Sequence, residues 1–192
     1  MMSVFTTGKS LLDPSTLLPK AGLTWGMSYA DLGAGSLGHF VLAGAHIVGP
    51  EGRVFAVDIL KGALASIESL ARLQSLTNIE TSWGDIEKLG GTSIKTQSID
   101  FVSLVNVTYL LSRKNDLLME IHRILKPGGI FLAIDWVKET SALGPRLDKR
   151  MDPMEISTLL AREKFSTEKP FDAGPHHWGI VSFNPGSSTA KS

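Results

Sequence analysis

The sequence predicts an α/β fold: a Rossmann-like, doubly wound sheet that is mostly parallel and ends in a C-terminal antiparallel hairpin strand. Three observations predict it. Short apolar runs alternate with amphipathic stretches of ten or more residues, which is typical of parallel strands joined by helices. A glycine-rich turn follows the first strand, and the last two strand-like runs have no helix between them. The 192 residues, 43% of them hydrophobic, are enough for one large core.

The first half of the chain predicts two successive pairs of a strand and a helix. Before them, Pro14 opens a short helix that runs through Leu18. An extended run, MSYADL, then enters the glycine loop, and the next helix, LGHFVLAGAHIVG, ends at the turn of residues 49–52. The second strand, RVFAVDIL, ends near Asp58. The helix that follows it has apolar residues on one face: Leu64, Ile67 and Ala71.

The second half predicts three further strands, two helices and a final hairpin. The strands are NIETSW, SIDFVSLVNV and IFLAIDW. Between the last two lies the helix NDLLMEIHRIL, which stops at residues 126–129. Asp152 caps another helix, which begins at Pro153 and runs to about Arg162. The hairpin joins FSTEKPF to HHWGIVSF through a turn at residues 172–175.

These elements predict one main domain with two flanking segments. We expect residues 1–27 to form an N-terminal helical segment that serves as a lid or as an approach to the sheet. Residues 28–184 form the main domain, and residues 185–192, PGSSTAKS, are expected to be a disordered tail.

Composition excludes several classes of partner. Lys and Arg together number 19, as do Asp and Glu, so no basic patch indicates binding to nucleic acid or an anionic membrane. The chain has no cysteine, which excludes disulfides, thiolate metal sites and a cysteine nucleophile. Its longest apolar stretch is too short to span a bilayer, and the N-terminus lacks the apolar core of a secretory signal. We therefore expect a cytoplasmic protein that acts on a small molecule, with its oligomeric state left open.

The stretch YADLGAGSLGHF has two interpretations with different cofactors. Gly33, Gly35 and Gly38 fit the Gly-x-Gly-x-x-Gly fingerprint of a dinucleotide-binding enzyme. The same stretch from Asp31 onward, DLGAGS, fits the loop that holds S-adenosylmethionine in a methyltransferase. Asp58, 20 residues after Gly38, is placed to accept hydrogen bonds from both hydroxyls of a ribose, which either cofactor carries.

Asp31 distinguishes the two interpretations. Its carboxylate at the entrance of the loop repels a pyrophosphate and attracts the ammonium of a methionine moiety. The loop therefore favours S-adenosylmethionine over NAD. An alternative stays open, in which Asp31 only accepts hydrogen bonds from backbone N–H groups of a turn.

A series of motifs identifies a family. The segments YADLGAGS, VFAVDI, WGDIEKL, SIDFVSLVNVTYLL and EIHRILKPGGIFLAIDW, in this order and spacing, resemble the class I S-adenosylmethionine-dependent methyltransferases. The sequence is most similar to small proteins of the ubiquinone/menaquinone-biosynthesis methyltransferase type. The resemblance covers roughly residues 10–184, and the final antiparallel strand agrees with it.

The resemblance implies a role for each matching residue. The loop from Asp31 lies against the methionine part, Asp58 holds the ribose and Ile59 packs on the adenine. Asp85 accepts a hydrogen bond from the exocyclic amine, and Asn106 lies between the methionine and the acceptor. The cofactor-binding residues predicted in this way are Asp31, Gly33, Ala34, Gly35, Leu37, Asp58, Ile59, Gly84, Asp85, Ile86 and Asn106.

Leu37 departs from the family pattern, which most often has glycine at that position, whereas here Gly38 follows one residue later. This departure keeps open the alternative of an NAD(P)-dependent oxidoreductase. A second alternative, a subunit that binds S-adenosylmethionine without catalysis, stays open because the acceptor region has no recognised signature.

Methyl transfer from a sulfonium is an in-line displacement that needs positioning and exclusion of water more than a catalytic base. Three polar side chains lie nearest to the reaction by motif position: Asn106, Tyr109 and His39. Asn106 can only orient an acceptor, and Tyr109 and His39 have packing or capping as alternative roles.

Two other groups of charged side chains have plain interpretations. Arg146 and Arg150 belong either to a solvated basic loop or to a site for an anionic acceptor. No metal site is expected, because His176 and His177 have only Asp172 as a nearby acid.

Overall fold

A computed structural model describes residues 11–112, 115–139 and 143–185 of the chain. Its helices are α1 (Pro14–Lys20), α2 (His39–Val48), α3 (Lys61–Leu73), α4 (Asp116–Ile124) and α5 (Pro153–Arg162). Its strands are β1 (Ser28–Leu32), β2 (Arg53–Asp58), β3 (Ile79–Trp83), β4 (Ile99–Val105), β5 (Leu125–Trp136), β6 (Ser166–Thr167), β7 (Phe171–Gly174) and β8 (His177–Phe183). Short 3₁₀ turns lie at Thr108–Ser112 and Leu147–Lys149. The predicted tail falls, after Pro185, outside the described residues.

The strands in the described part of the chain form one sheet in the order β3-β2-β1-β4-β5-β8-β6, with β7 also paired to β8. Among β1 to β5, every pair of adjacent strands is parallel. Strand β8 is antiparallel to β5, β6 and β7. The predicted fold class, a mostly parallel Rossmann-like sheet with an antiparallel hairpin strand, is confirmed.

Helices cover both faces of this sheet. On one face α1, α2 and α3 contribute the buried residues Leu18, Val41 and Ile67. On the other face α4 and α5 contribute Ile121 and Leu160. The division of residues 1–27 from the main domain stays a prediction, but α1 packs into the same core as α2 and α3.

Side-chain caps begin two of the helices where the sequence predicts them. The Asp13 carboxylate accepts a hydrogen bond from the Ser15 amide, and the Asp152 carboxylate accepts one from the Met154 amide. The predicted end of the first helix at Leu18 is two residues early, because α1 continues to Lys20. Since Leu18 is fully buried, tertiary packing stabilises the last turn.

The predicted hairpin turn at residues 172–175 is wrong. Strand β7 includes Asp172 and runs to Gly174, and the turn consists of Pro175 and His176. Gly174 is close to the Leu11 carbonyl, which a Cβ atom at this position would approach to 2.3 Å. Gly174 therefore lies too close to the backbone of Leu11 for any residue with a side chain.

Two other boundaries differ from the predictions. The run FSTEKPF is not one strand but two, β6 and β7, and the break includes Pro170, which has no N–H to donate to a strand ladder. Residues 126–129, which were predicted to form the turn that stops the fourth helix, instead belong to β5. This strand starts at Leu125, directly after α4. There the Asn184 side chain donates hydrogen bonds to the carbonyls of Leu125 and Lys126.

A buried carboxylate in α4 fixes the loop that follows β3. Glu120 accepts hydrogen bonds from the Gly90 amide at 2.7 Å and from the Thr92 amide and hydroxyl at 3.2 and 2.5 Å. It also forms an ion pair with Arg123 at 2.6 Å. Burial alone raises the pKa of Glu120, but the hydrogen bonds from Arg123, Thr92 and Gly90 outweigh it and hold this pKa below its ordinary value. The stabilisation is therefore present at neutral pH and is lost on acidification through that lowered pKa.

No helix in the described residues is long and apolar enough to cross a membrane.

We predict that Glu120→Ala lowers the free energy of unfolding by about 3 kcal/mol, because it leaves Arg123 and the amides of the loop without their acceptor. Urea unfolding monitored by circular dichroism measures this change. The control is Glu155→Ala, which removes an exposed ion pair with Lys138 and is expected to cost about 1 kcal/mol or less. Equal losses in the two variants would contradict the role of Glu120.

Candidate functional site

The candidate site is a cleft of about 450 Å³ at the carboxyl ends of β1 and β4. Strand β1 has β2 on one side and β4 on the other, so the direction of strand addition reverses here. Open α/β sheets bind ligands in the crevice at such a reversal. Seven residues predicted from the sequence line this cleft: Asp31, Gly33, Ala34, Gly35, Leu37, His39 and Asn106.

A chain of side-chain hydrogen bonds ends at Asp31. Its neighbour across the sheet is Ser103 of β4, whose hydroxyl donates to Asp31 Oδ1 at 2.5 Å. Because that hydroxyl has one proton, the Tyr29 hydroxyl, 2.7 Å from Ser103 Oγ, donates to it in turn. All three side chains are buried. Burial, with a smaller contribution from the charge of Asp58, raises the pKa of Asp31 to about 7, against the opposing hydrogen bond from Ser103.

Asp58, rather than Asp31, organises the glycine loop. The Gly35 amide donates to Asp58 Oδ2 at 2.9 Å, and the Leu60 amide donates to Asp58 Oδ1 at 2.8 Å. The amides of Gly33 and Ala34 donate to the Val57 carbonyl instead. In the described residues, therefore, the alternative in which Asp31 accepts the amides of its own turn is wrong. The side chain of Asp58 joins the loop after β1 to the loop after β2.

The departure at Leu37 has a structural explanation in Gly38. Gly38 caps α2 with a φ of +54°, and a Cβ atom there would lie 2.8 Å from Cγ1 of Ile67 in α3. Only glycine combines this backbone conformation with so close an approach of the two helices. Leu37 is 61% exposed and lines the cleft. Gly38 therefore allows the close packing of α2 on α3, one residue after the position that Leu37 occupies.

The residues predicted to surround an adenine are divided between the surface and the core. Ile59 is exposed beside Trp83, whose indole N–H donates to the Ile59 carbonyl at 2.9 Å. Asp85 accepts a hydrogen bond from the Glu87 amide and pairs with Lys88 at 3.1 Å.

The two neighbours of Asp85 are constrained by packing. A Cβ atom on Gly84 would lie 2.6 Å from the Gly91 carbonyl, and Ile86 is buried in the core beneath Gly33. Ile59 and Trp83 form an exposed apolar surface beyond Asp58. Five of the predicted cofactor-binding residues do not line the cleft: Asp58, Ile59, Gly84, Asp85 and Ile86.

The three candidates for the reaction lie in different environments. Asn106 is exposed, lines the cleft and has a φ of +61°, which is unusual for a residue with a side chain. His39 is exposed at the start of α2, also in the cleft. Tyr109 lies in the 3₁₀ turn and packs against the core beside Lys149, outside the lining of the cleft. The structure thus brings Asn106 and His39, but not Tyr109, to the same cavity.

The turn that follows Asn106 is held by Asp135, which the sequence analysis missed. This buried carboxylate accepts hydrogen bonds from the Thr108 amide at 2.9 Å and from the Thr108 hydroxyl at 2.5 Å. Burial raises the pKa of Asp135, although these hydrogen bonds oppose it. Asp135 and Ser103 share a signal: each is a polar residue in an apolar strand that ends at the site.

The residues of the far wall of the cleft were also not predicted from the sequence. This wall consists of Trp136, at the end of β5, and His177, which is paired with Trp136 across the sheet. Arg150 lies over the Trp136 ring at 5.6 Å, and its buried guanidinium donates to the carbonyls of residues 137, 139, 143 and 145. Arg150 therefore organises its own loop, and neither predicted role applies to it. Arg146 is exposed and pairs with Asp148.

The charge of the cleft can be compared with the two cofactors. The described lining residues include Asp31 but no Lys or Arg. A pyrophosphate in this cleft would face the Asp31 carboxylate with no Lys or Arg among the described lining residues to neutralise it, whereas an ammonium would be attracted to that carboxylate. Gly35 has nothing within 4 Å of the position of a Cβ atom, so its backbone is open to close approach by a ligand. The described residues contain no cluster of side chains suited to a metal ion.

Comparison with known proteins identifies relatives. A family model described as a methyltransferase domain matches residues 23–166. The chain is 31% identical to the ubiquinone/menaquinone biosynthesis C-methyltransferase UbiE of Hahella chejuensis over 147 residues, which are 74% of this chain and 55% of that protein. It is 34% identical to human arsenite methyltransferase over 105 residues, 52% of this chain and 28% of that protein. The chain thus spans about half or less of the length of these relatives.

Solved structures agree on the fold. A SAM-dependent methyltransferase from Aquifex aeolicus superposes with a TM-score of 0.85 at 23% identity, over 93% of each chain. A putative type 11 methyltransferase from Sulfolobus solfataricus superposes with a TM-score of 0.70 at 25% identity, over 93% of this chain and 96% of that one.

We predict that Gly38→Ala destabilises the chain by about 2 kcal/mol, through strain at a positive φ and the clash with Ile67. Thermal or urea unfolding measures the loss. The control is Gly62→Ala in α3, where the φ is not positive and nothing lies within 4 Å, so stability is unchanged or slightly raised. If Gly38→Ala were as harmless as Gly62→Ala, the packing role of Gly38 would be refuted.

Proposed function

The chain belongs to the class I S-adenosylmethionine-dependent methyltransferases, and we propose that it transfers the methyl group of S-adenosylmethionine to a small organic acceptor. One observation carries the proposal. The buried carboxylate of Asp31 faces a cleft that has no Lys or Arg among its described lining residues. Such a cleft suits the ammonium of an amino-acid moiety and disfavours the pyrophosphate of NAD(P). The oxidoreductase alternative is correspondingly weak.

We assign the cofactor to residues on three strand ends. Asp31 binds its ammonium, and the backbone of Gly33 and Gly35 lies against its methionine part. The Asp58 carboxylate accepts hydrogen bonds from the ribose while it holds the Gly35 amide. Ile59 packs on the adenine, with Trp83 as the neighbouring apolar surface. The bound cofactor supplies an electrophilic methyl group on a sulfonium.

The protein contributes positioning and exclusion of water to this reaction. The walls of the cleft are largely apolar and include Leu12, Phe40, Val107 and Trp136. Leu12 belongs to the segment before β1, so we propose that this segment covers the cleft. Asn106 orients the acceptor through its amide, and the hydrogen bonds from Thr108 to Asp135 fix the turn that follows it.

The acceptor that fits best is an apolar organic molecule. The relatives include enzymes named for ubiquinone/menaquinone biosynthesis and for arsenite. Trivalent arsenic prefers soft thiolate ligands, and this chain contains no cysteine. Because the lining is apolar, we favour an organic ring as the acceptor over arsenite.

Calorimetric titration tests the cofactor assignment. S-adenosylhomocysteine is expected to bind and NAD is not. Asp58→Ala is expected to weaken S-adenosylhomocysteine binding by about 1 to 3 kcal/mol, because the ribose and the Gly35 amide lose a charged acceptor. Glu80→Ala, at an exposed position of β3, is the control and is expected to leave the affinity unchanged. Binding of NAD instead, or unchanged affinity in Asp58→Ala, would overturn the assignment.

Transfer itself is tested with radiolabelled S-adenosylmethionine and an organic extract of small molecules. The expected result is label in the organic phase with the natural chain and much less with Asp58→Ala. Tight cofactor binding without transfer to any acceptor would support the non-catalytic alternative.

The pH dependence of cofactor binding follows from Asp31. Its pKa of about 7 means that it is largely protonated at pH 6 and then lacks the charge that attracts an ammonium. The affinity for S-adenosylhomocysteine is therefore expected to fall about tenfold between pH 7.5 and pH 6. Tyr29 and Asp58 are the other titratable groups that face Asp31.

Two variants isolate this effect. Asp31→Asn is expected to bind weakly with no such pH dependence, whereas His39→Gln, which changes the other ionisable side chain at the start of α2 in the cleft, is expected to retain it. A pH dependence that persists in Asp31→Asn would assign the titration to another group.

A further inference from the structure

Tyr29 and Ser103 are fully buried polar side chains that support Asp31 from within the core. Neither of them lines the cleft, whereas Asp31 does. Ser103 of β4 is the neighbour of Asp31 across the sheet, and Tyr29 lies two residues before Asp31 in β1. The three side chains therefore lie on the same face of the sheet, the face that α2 covers.

Space for the Tyr29 ring comes from a glycine in α2. Gly44 lies in the interior of this helix, and a Cβ atom there would be 2.3 Å from Cε1 of Tyr29. Glycine weakens a helix interior, so the ring beneath it explains its presence. Phe101 packs edge-on against the same ring, with 5.6 Å between the two centres. A phenylalanine would fill this space equally well, so packing does not explain the buried hydroxyl of Tyr29.

The hydrogen bonds of these hydroxyls are directed toward Asp31. An ionised carboxylate only accepts, so Ser103 donates its one proton to Asp31 Oδ1 and accepts from the Tyr29 hydroxyl. Burial raises the pKa of Tyr29 well above its usual range, so this hydroxyl keeps its proton at neutral pH. A hydroxyl that accepts a hydrogen bond becomes a stronger donor, and Tyr29 therefore strengthens the bond from Ser103 to Asp31.

The two hydroxyls favour the charged form of Asp31. Burial raises the pKa of Asp31 to about 7, and the hydrogen bonds from Ser103 and Tyr29 act against this rise. On the other side of β1 the neighbour of Asp31 is Ala56, which has no polar side chain. Within the described residues, Ser103 and Tyr29 are thus the side-chain donors that support this charge.

We infer that Tyr29 and Ser103 are positioning residues for cofactor binding, which hold the Asp31 carboxylate ionised and fixed in orientation for the ammonium of S-adenosylmethionine. This inference rests on the proposed function. Because neither residue lines the cleft, both act through Asp31. Their effect is to extend cofactor binding to lower pH, since without them Asp31 would be protonated over more of the neutral range.

Calorimetric titration with S-adenosylhomocysteine between pH 6 and pH 9 tests this inference. In the natural chain the affinity is expected to rise with a midpoint at a pH of about 7. Removing a donor to the charged form raises the pKa of Asp31, so Ser103→Ala is expected to move the midpoint upward by about one pH unit and Tyr29→Phe by about half a unit. Ser103→Ala is then expected to bind about threefold more weakly at pH 7.5 and about equally at pH 9.

A second ligand separates this effect from a general change of the site. 5′-Methylthioadenosine has the same nucleoside but neither the ammonium nor the carboxylate, so its affinity is expected to lack this midpoint and to be equal in the natural chain and in both variants. Ser82→Ala is the matched control variant. It removes another buried serine hydroxyl, which is 2.8 Å from the Ser93 hydroxyl, and is expected to leave the midpoint unchanged.

The other titratable groups near Asp31 are the same in Ser103→Ala and in the natural chain. Asp58 of β2 and Tyr29 act on Asp31 directly, and His39 of α2 and His177 of β8 line the same cleft. The ammonium of S-adenosylhomocysteine titrates equally with every variant. A displaced midpoint in Ser103→Ala therefore reports the charge of Asp31.

The inference is overturned if either variant keeps the midpoint of the natural chain, or if it weakens S-adenosylhomocysteine and 5′-methylthioadenosine to the same extent, as a purely structural role would. Tyr29→Phe gives a result even if Ser103→Ala fails to fold. Failure of the proposed function looks different: S-adenosylhomocysteine then does not bind the natural chain, or binds Asp31→Asn as tightly.

Discussion

The hydrogen bond from the Gly35 amide to the Asp58 carboxylate joins the two loops on which the site is built. Strands β1 and β2 are adjacent and parallel, so both loops emerge at the same edge of the sheet. The second oxygen of Asp58 holds the Leu60 amide at the start of α3, and α3 in turn packs Ile67 against Gly38. The conformation of the glycine loop is thus determined by contacts with β2 and α3 as much as by its own glycines.

A second buried hydrogen-bonded chain, from Tyr29 through Ser103 to Asp31, joins β1 to β4. Asp31 is buried and therefore poorly solvated when it is ionised, and the hydroxyls of Ser103 and Tyr29 oppose the resulting rise of its pKa only in part. An ammonium from the cofactor would complete the compensation. Under the proposed function, a cationic ligand offsets the electrostatic cost of burying Asp31 in the free protein.

The sequence was sufficient to predict the fold and the central part of the cleft, because hydrophobic period, glycine turns and helix caps are local signals. It failed where contacts over long sequence distances decide the outcome: Gly174 lies against the Leu11 carbonyl, and the Asn184 side chain donates to the Leu125 carbonyl at the start of β5. Ser103 and His177 were missed because each becomes significant only through its neighbours in the sheet. The presence of Leu37 instead of glycine could not be explained from the sequence, because the explanation depends on how close Ile67 of α3 lies to Gly38.

The cover of the cleft has a consequence for how such a protein diversifies. Leu11 and Leu12, which precede α1, meet the hairpin of β7 and β8, whereas the loop of Gly33 and Gly35 lies between β1 and α2. Insertions or exchanges in these two segments can therefore change one wall of the cleft while the other remains intact. Under the proposed function, replacing the segment before α1 together with the hairpin changes the acceptor wall and leaves the glycine loop as it is.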